Sequence, residues 1–403
     1  MMLVLLHYIG LQLGVKIPAV FFYASTRMML AAITTLFITI LIGPRFIKKL
    51  YELKLGQSIR VEDCPLLAEL HQKKKDTPTM GGILILASML SAMVLWMDLS
   101  SSYTIILGVT TIWLGLIGGI DDYLKLKYKN SKGLSARRKM IFQTIFAFFL
   151  SLYLLCPLVT NALATDDVFA PPVAKEYTQN GKTISSKTLD TQAMMSRYYL
   201  PFFKGPVLIL SGFGIVAGFI ITWLTVTGAS NAVNLTDGLD GLAAGCIVMV
   251  SFVLGIVAFL SNHADIARYL NILYLEGSGE IAVYLFALAG ASLGFLWYNG
   301  YPAKVFMGDT GSLALGGVLG VSAVLLRKEI LFALVGGIFV VEALSVILQV
   351  GSYKLRNRKR VFLCAPLHHH FEYMGWPETK VVMRFWIVGF ILAMIGLASL
   401  KFQ

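Results

Sequence analysis

Charge is scarce in this sequence. Of 403 residues only 14% are Asp, Glu, Lys or Arg, whereas 57% are hydrophobic. No single soluble core could bury so many apolar side chains, so a bilayer is the solvent that the composition demands. Acid is scarcer than base, 22 residues against 34, for a formal net charge of +12. In a soluble protein that balance would point to nucleic acid. Here the cations occupy a few short segments between apolar runs, as membrane topology requires, and no nucleic-acid partner is expected. The four cysteines (Cys64, Cys156, Cys246, Cys364) are far apart and form no Cys-x-x-Cys pair, which argues against a disulfide framework or a cysteine metal site. No Lys or Arg precedes Lys16, so the apolar N-terminus lacks the basic region of a cleaved signal peptide and is expected to be retained. No internal repeat is evident, which disfavours a transporter built from two related halves.

What is present is a series of apolar runs. Ten of them, about 17 to 25 residues each, are long enough to cross the hydrocarbon as helices; they lie near 19–43, 80–97, 104–120, 140–157, 207–226, 242–261, 281–298, 311–326, 330–352 and 380–400. The expected fold is an all-α polytopic integral membrane protein, a single membrane-embedded domain over 1–403. One set of connections carries Arg45, Lys48, Lys49, Lys54, Arg60 and 73–75, then Lys125, Lys127, Lys129, Lys132 and 137–139, then Lys354, Arg356 and 358–360. By the positive-inside rule these loops are cytoplasmic and both termini are periplasmic. The polar segment 158–206 is an enlarged periplasmic loop between the fourth and fifth spans. Within it, Asn180-Gly181 between β-favouring residues signals a small hairpin, because a type I′ turn needs two residues tolerant of positive φ.

Polar groups with catalytic potential cluster at the cytoplasmic ends of the spans. Asp121-Asp122 closes the third span; adjacent carboxylates there could bind a divalent cation or handle a proton, although charged helix ends are common. Asn231, Asn234, Asp237 and Asp240 recur every third position, so neighbours share a helix face. A helix cap is the plainer reading, but four such groups beside a membrane, with no basic residue among them, ask for more. In the stretch from Asn299 to Ser312, glycines flank Asp309 and let backbone approach a phosphate or metal, while Phe306 offers a face for a base to stack on. The last cytoplasmic loop holds His368, His369 and His370. Three consecutive rings cannot all point one way, so at most two serve one site, and phosphate or substrate contacts are expected rather than zinc. Lys74, Lys125 and Lys139 supply cations near the carboxylates, some of them explained by topology alone. Acids by themselves would repel a pyrophosphate; Mg²⁺ together with lysines reverses the local field, and Mg²⁺ characteristically binds through one or two carboxylates plus substrate phosphates. Glu342, inside the ninth span, is an expensive intramembrane carboxylate, either functional or paired within the bundle.

Taken together, the block Thr77-Pro-Thr-Met-Gly-Gly82, the Asp121-Asp122 pair, the run from Asn231 to Gly241, the run from Phe306 to Ser312 and Pro366-Leu-His-His-His-Phe-Glu372 resemble the signature series of the polyprenyl-phosphate phospho-N-acetylhexosamine transferases. The first and last of these blocks are those of the muramoyl-pentapeptide branch. The resemblance runs over nearly the whole chain. It implies a bacterial cytoplasmic-membrane enzyme of peptidoglycan synthesis, with its active site on the cytoplasmic side, UDP-N-acetylmuramoyl-pentapeptide as donor and undecaprenyl phosphate as acceptor. Lipid I and UMP would be the products, Mg²⁺ the cofactor and a homodimer the common assembly. By the same resemblance Asp309 is the metal-binding acid and Asp121 and Asp122 an essential pair. Asn299, Phe306 and Asp240 fall in a uridine pocket, and Asn231, Asn234, Asp237, Lys74, Lys125, Lys139 and His368 take other active-site positions, with His369 and His370 as substrate contacts. The loop 158–206 is longer than is usual for that family. The rivals are a sister enzyme using a UDP-N-acetylglucosamine-type donor and, from another class, a nucleotide-sugar or lipid transporter. The latter should carry its polar residues near the midplane rather than at one surface.

Overall fold

A backbone that leaves water must satisfy its own N–H and C=O groups, and apolar runs therefore fold as helices. The computed structural model describes residues 18–53, 77–128, 133–164, 169–180 and 183–401. Among them the ten expected runs all form helices: α1 (Ala24–Glu52), α2 (Gly82–Trp96), α3 (Ser102–Lys127), α4 (Ala136–Leu155), and, after two short helices α5 (Pro157–Leu163) and α6 (Thr191–Met195), α7 (Ile215–Thr236) and α8 (Leu242–Ser261). The short α9 (Ala264–Tyr269) precedes α10 (Gly279–Asn299) and α11 (Gly308–Leu325). Then come α12 (Glu329–Val335), α13 (Gly337–Leu355), the short α14 (Leu367–Tyr373) and α15 (Glu378–Ser399). Nine of these helices are long and apolar enough to cross a membrane, which makes the chain a multi-pass membrane protein. The remaining one, α2, has 15 residues and rises about 22 Å, short of a hydrocarbon core of about 30 Å.

Four boundaries differ from the sequence expectation; the run placed at 207–226 is an α-helix only from Ile215 and continues to Thr236, so Asn231 and Asn234 are helical residues. Helix α1 does not stop at Gly43 but runs through Pro44 to Glu52. Helix α3 continues past 120 to Lys127, so Asp121, Asp122 and Lys125 are helical residues. The expected single span 330–352 is broken into α12 and α13 at Gly336. Two adjacent glycines, Gly336 and Gly337, weaken a helix by roughly 1 kcal/mol each, an effect a hydropathy window does not register.

Helix α11 lies at the centre, every residue from Thr310 to Leu325 buried, and it packs chiefly on α3 and α7, while α10 packs on α1 and α8. The outer faces are apolar: Met29, Ile33, Phe37 and Leu41 recur every fourth residue along α1, and Ile387, Ile391 and Met394 mark α15, all exposed. Exposed apolar stripes of that length are what lipid-facing helices present.

The segment between α4 and α7 folds as expected around a hairpin, β1 (Ala174–Asn180) with β2 (Thr183–Leu189). The register pairs Asn180 with Thr183, so the connection is 181–182, one residue later than the Asn180-Gly181 turn, and it lies outside the described residues. Two features were not expected. A third strand, β3 (Tyr274–Leu275), joins the other edge of β1. Buried Arg327, beyond α11, donates from Nε and Nη2 to the Arg197 carbonyl at 3.0 and 2.9 Å, pairs with Glu329 and lies 4.3 Å over the Tyr198 ring. The polar segment is thereby fixed to the end of the central helix opposite its first turn.

Candidate active site

The C-terminal end of α3, the start of α4, the end of α7 and the first turn of α11 meet at one end of the bundle. Asp121 and Lys125 are one helical turn apart on α3, hence on one face, and their charged atoms lie 2.5 Å apart. Ser135 caps α4 by accepting the Arg138 N–H, which sets Lys139 in the helix's first turn. Lys139 Nζ then donates to Asp309 Oδ2 at 2.7 Å and lies 3.4 Å from Asp121 Oδ2, while Lys125 Nζ is 3.1 Å from the same Asp309 oxygen. The other Asp309 oxygen accepts from Asn234 Nδ2 at 3.0 Å, and that amide also donates to Ser312 at 2.8 Å. Carboxylate oxygens of Asp121, Asp122 and Asp309 come within 4.8 Å of one another.

The structure divides the acid pair that the sequence offered as equivalent. Asp122 Oδ1 accepts the Asp309 N–H at 3.2 Å, and its Oδ2 accepts both the N–H and the hydroxyl of Thr310, at 2.9 and 2.8 Å. It is the N-terminal cap of α11, supplied from another helix, and satisfies donors that the first turn leaves unpaired. Gly308 has φ +75°, and a Cβ there would come 2.6 Å from Asp122 Oδ2; the glycine is what lets the carboxylate approach. Asp121 by contrast spends one oxygen on the Leu134 N–H at 2.6 Å and turns the other to the two lysines.

Asp237, just past the end of α7, is half-buried beside this cluster. Burial first, then the charges of Asp309, Asp122 and Asp240, push its carboxyl up to about 7, with the Gly308 N–H pulling the other way. The folded protein thus holds a proton between pH 3.8 and about 7 where the unfolded chain has released it. This contribution to stability is full below the unfolded value and is lost as pH rises through the folded one. In chelator-treated protein, Asp237→Asn is therefore expected to flatten the decline of Tm between pH 4 and 7. Parallel Tm profiles for parent and variant would refute the assignment.

Other expected residues sit one layer away. Asn231 donates to Gln143 Oε1, and Gln143 donates to Ser230, which donates to the Leu313 carbonyl. Asn299 is buried and spans two loops, its Oδ1 accepting the Gly241 N–H and its Nδ2 donating to the Val305 carbonyl. Asp240 accepts the Ala303 N–H. Half-buried Phe306 is held through its backbone, its N–H donating to the Pro78 carbonyl and its own carbonyl accepting the Gly81 N–H. The three histidines have separate partners: Glu342 for His368, Glu372 for His369 and the Leu363 N–H for His370. Lys74 lies outside the described residues. Sequence reasoning missed Gln143 and Ser230, and gave no role to Thr310 and Ser312 within the run from Phe306 to Ser312. Gln143 was detectable as a lone amide in an apolar run one turn beyond Lys139, since intramembrane polar residues seldom lack a role.

A polytopic bundle that gathers acids and lysines at one end of its central helix has the groups that a membrane-embedded transferase would use on a charged substrate. The comparisons with known proteins narrow this. The profile of glycosyl transferase family 4 matches residues 104–327, and the phospho-N-acetylmuramoyl-pentapeptide-transferase signature 1 matches 74–86. The chain is 62% identical over 410 residues to a protein of Protochlamydia amoebophila (strain UWE25) named phospho-N-acetylmuramoyl-pentapeptide-transferase, covering 100% of both chains. A protein of the same name from Thermodesulfovibrio yellowstonii (strain ATCC 51303 / DSM 11347 / YP87) is 48% identical over 384 residues, 95% of each. The chain belongs to the phospho-N-acetylmuramoyl-pentapeptide-transferase family.

Proposed function

We propose that this protein transfers phospho-N-acetylmuramoyl-pentapeptide from UDP-N-acetylmuramoyl-pentapeptide to undecaprenyl phosphate, giving lipid I and UMP at the cytoplasmic face of a bacterial inner membrane. The observation that carries the reading is the Asp121, Asp122, Asp309, Lys125 and Lys139 cluster at one end of the bundle, in a chain that matches the named relatives end to end. Three carboxylates against two ammonium groups leave one net negative charge, and the donor set is hard oxygen alone, which suits Mg²⁺. Asp309 and Asp121 would hold the ion. When bound, Mg²⁺ supplies positive charge to the phosphate oxygens of the donor.

In the reaction an oxygen of the lipid phosphate attacks the β-phosphorus of the donor. The bond from that phosphorus to the bridging oxygen breaks, and UMP leaves with the electron pair. Such a step asks mainly for positioning and charge neutralisation. Lys125 and Lys139, which bracket Asp309 Oδ2, are placed to pass to substrate phosphates. Asp121 orients the acceptor, whose phosphate is largely dianionic at neutral pH and needs no strong base. Asp122 keeps α11 in place. Asn299 and Asp240 shape the loop beside Phe306, the expected nucleoside side of the site.

The test is release of UMP by purified protein from the muramoyl-pentapeptide donor and undecaprenyl phosphate, with Mg²⁺ and with a chelator. Release that needs both substrates and stops with chelator is the expected result. Release from a UDP-N-acetylglucosamine donor instead would overturn the substrate assignment.

A further inference from the structure

Glu342 is a carboxylate within a membrane-spanning helix, and neither it nor His368 has any solvent exposure. Its two oxygens address one residue. Oε1 accepts the His368 backbone N–H at 3.1 Å, and Oε2 lies 3.1 Å from His368 Nδ1. The ring's other face is fixed as well: a Cβ on Gly238 would sit 2.3 Å from His368 Nε2, so the imidazole rests against the turn that joins Asp237 to Asp240. Both ring nitrogens are buried and neither makes a hydrogen bond among the described residues; Nδ1 has only its 3.1 Å ionic contact with Glu342 Oε2. A buried ring nitrogen left unpaired costs free energy and asks for a reason.

We propose that Glu342 is a positioning residue for the transfer reaction: it holds His368 in the tautomer protonated at Nδ1, so that Nε2 presents a lone pair at the Asp237–Asp240 turn. The inference rests on the transferase reading for its consequence, though not for its geometry. The carboxylate beside Nδ1 favours a proton there, and the contact to the peptide N–H stops the ring from swinging away, the device by which a second residue sets the tautomer of a working histidine. It also decides what Nε2 can bind. A neutral nitrogen with a lone pair accepts from a hydroxyl or amide N–H, and with no solvent exposure it meets one from the donor substrate only where the Gly238 turn gives way. It does not bind a phosphate oxygen, which is itself an acceptor. The phosphates are thereby left to Lys125 and Lys139.

Glu342→Gln retains size and one acceptor but places an amide opposite Nδ1, which favours the proton on Nε2. The ¹⁵N resonances of His368, assigned by their loss in His368→Gln, are expected to report Nδ1–H in the substrate-free parent and Nε2–H in Glu342→Gln. UMP release should fall by about ten- to a hundredfold in Glu342→Gln, and adding that change to His368→Gln should cost nothing further. Gly238→Ala, which pushes the ring from the opposite side without touching Glu342, should show a comparable fall and serves if Glu342→Gln does not fold. A parent ring carrying a proton on Nε2, or full activity in Gly238→Ala, overturns the proposal, as does a Glu342→Gln cost that persists in the His368→Gln background. The tautomer is read without substrate, so failure of the transferase assay leaves that result standing on its own.

Discussion

Asp309→Asn should leave a folded protein that releases UMP at least about a thousandfold more slowly than the parent, the scale lost when a preorganised electrostatic group is removed from a phosphoryl- or acyl-transfer site. The substitution preserves shape and can still accept from Asn234 at Oδ1. What it deletes is the negative charge between Lys139 at 2.7 Å and Lys125 at 3.1 Å. Those two ammonium groups then face each other across a neutral amide, and the group best placed to hold Mg²⁺ is gone. Raising Mg²⁺ should not restore the rate, because the lost ligand is also the group that spaces the lysines. The lysines keep some solvent access, 25% and 19% of their side chains, so the repulsion is screened and Tm should move little. A slow variant that recovers fully at high Mg²⁺ would show that Asp309 sets affinity alone. Asp309 also bears on the route. With one oxygen on two lysines and the other on Asn234 it is poorly disposed as a nucleophile, and donor without acceptor should give no burst of UMP. A stoichiometric burst would establish a phospho-enzyme and overturn single displacement.

Much of this arrangement could be read from residues. The ten apolar runs all become helical, one of them in two pieces, because a bilayer leaves the backbone no alternative, and the polar clusters converge because the span ends that carry them share one face. The sequence was less informative wherever a backbone does the work. Asp121 and Asp122 look alike as letters; only the position of α11 makes one a cap and leaves the other facing lysines. The His-His-His run was expected to send at most two rings to one site; its three rings reach Glu342, Glu372 and a peptide N–H, as a helix of seven residues requires of consecutive side chains, but the partners themselves were not legible. Glu342 was visible as an intramembrane acid, while its partner, 26 residues away in the short helix α14, was not. The break at Gly336 escaped notice because hydropathy averages over the residues that interrupt a helix.

Contacts made of backbone alone leave the weakest trace in a sequence, and one of them sets the site. Gly118 lies on α3 one turn before Asp122, where a Cβ would fall 2.1 Å from the Asp309 carbonyl oxygen, 2.5 Å from its carbon and 2.6 Å from the Thr310 nitrogen. No side chain among these can swing aside. Gly118→Ala must therefore force α11 away from α3, lengthening the Asp122 bonds to the Asp309 and Thr310 N–H groups and separating Asp121 from Asp309. Overpacking of this kind costs about 1–3 kcal/mol, and displacing reacting groups by about 1 Å can cost on the order of a hundredfold in rate. We expect a lowered Tm together with at least that loss of UMP release. The adjacent Gly119 provides the control, since its Cβ would meet Thr310 at 3.8 and 3.9 Å, ordinary contact. Gly119→Ala should keep parental activity and even gain about 1 kcal/mol of helix propensity. If both alanine variants behave alike, the close approach of α3 and α11 is not what aligns the acids, and the alignment must come from the side-chain network of Lys125, Lys139 and Asn234 instead.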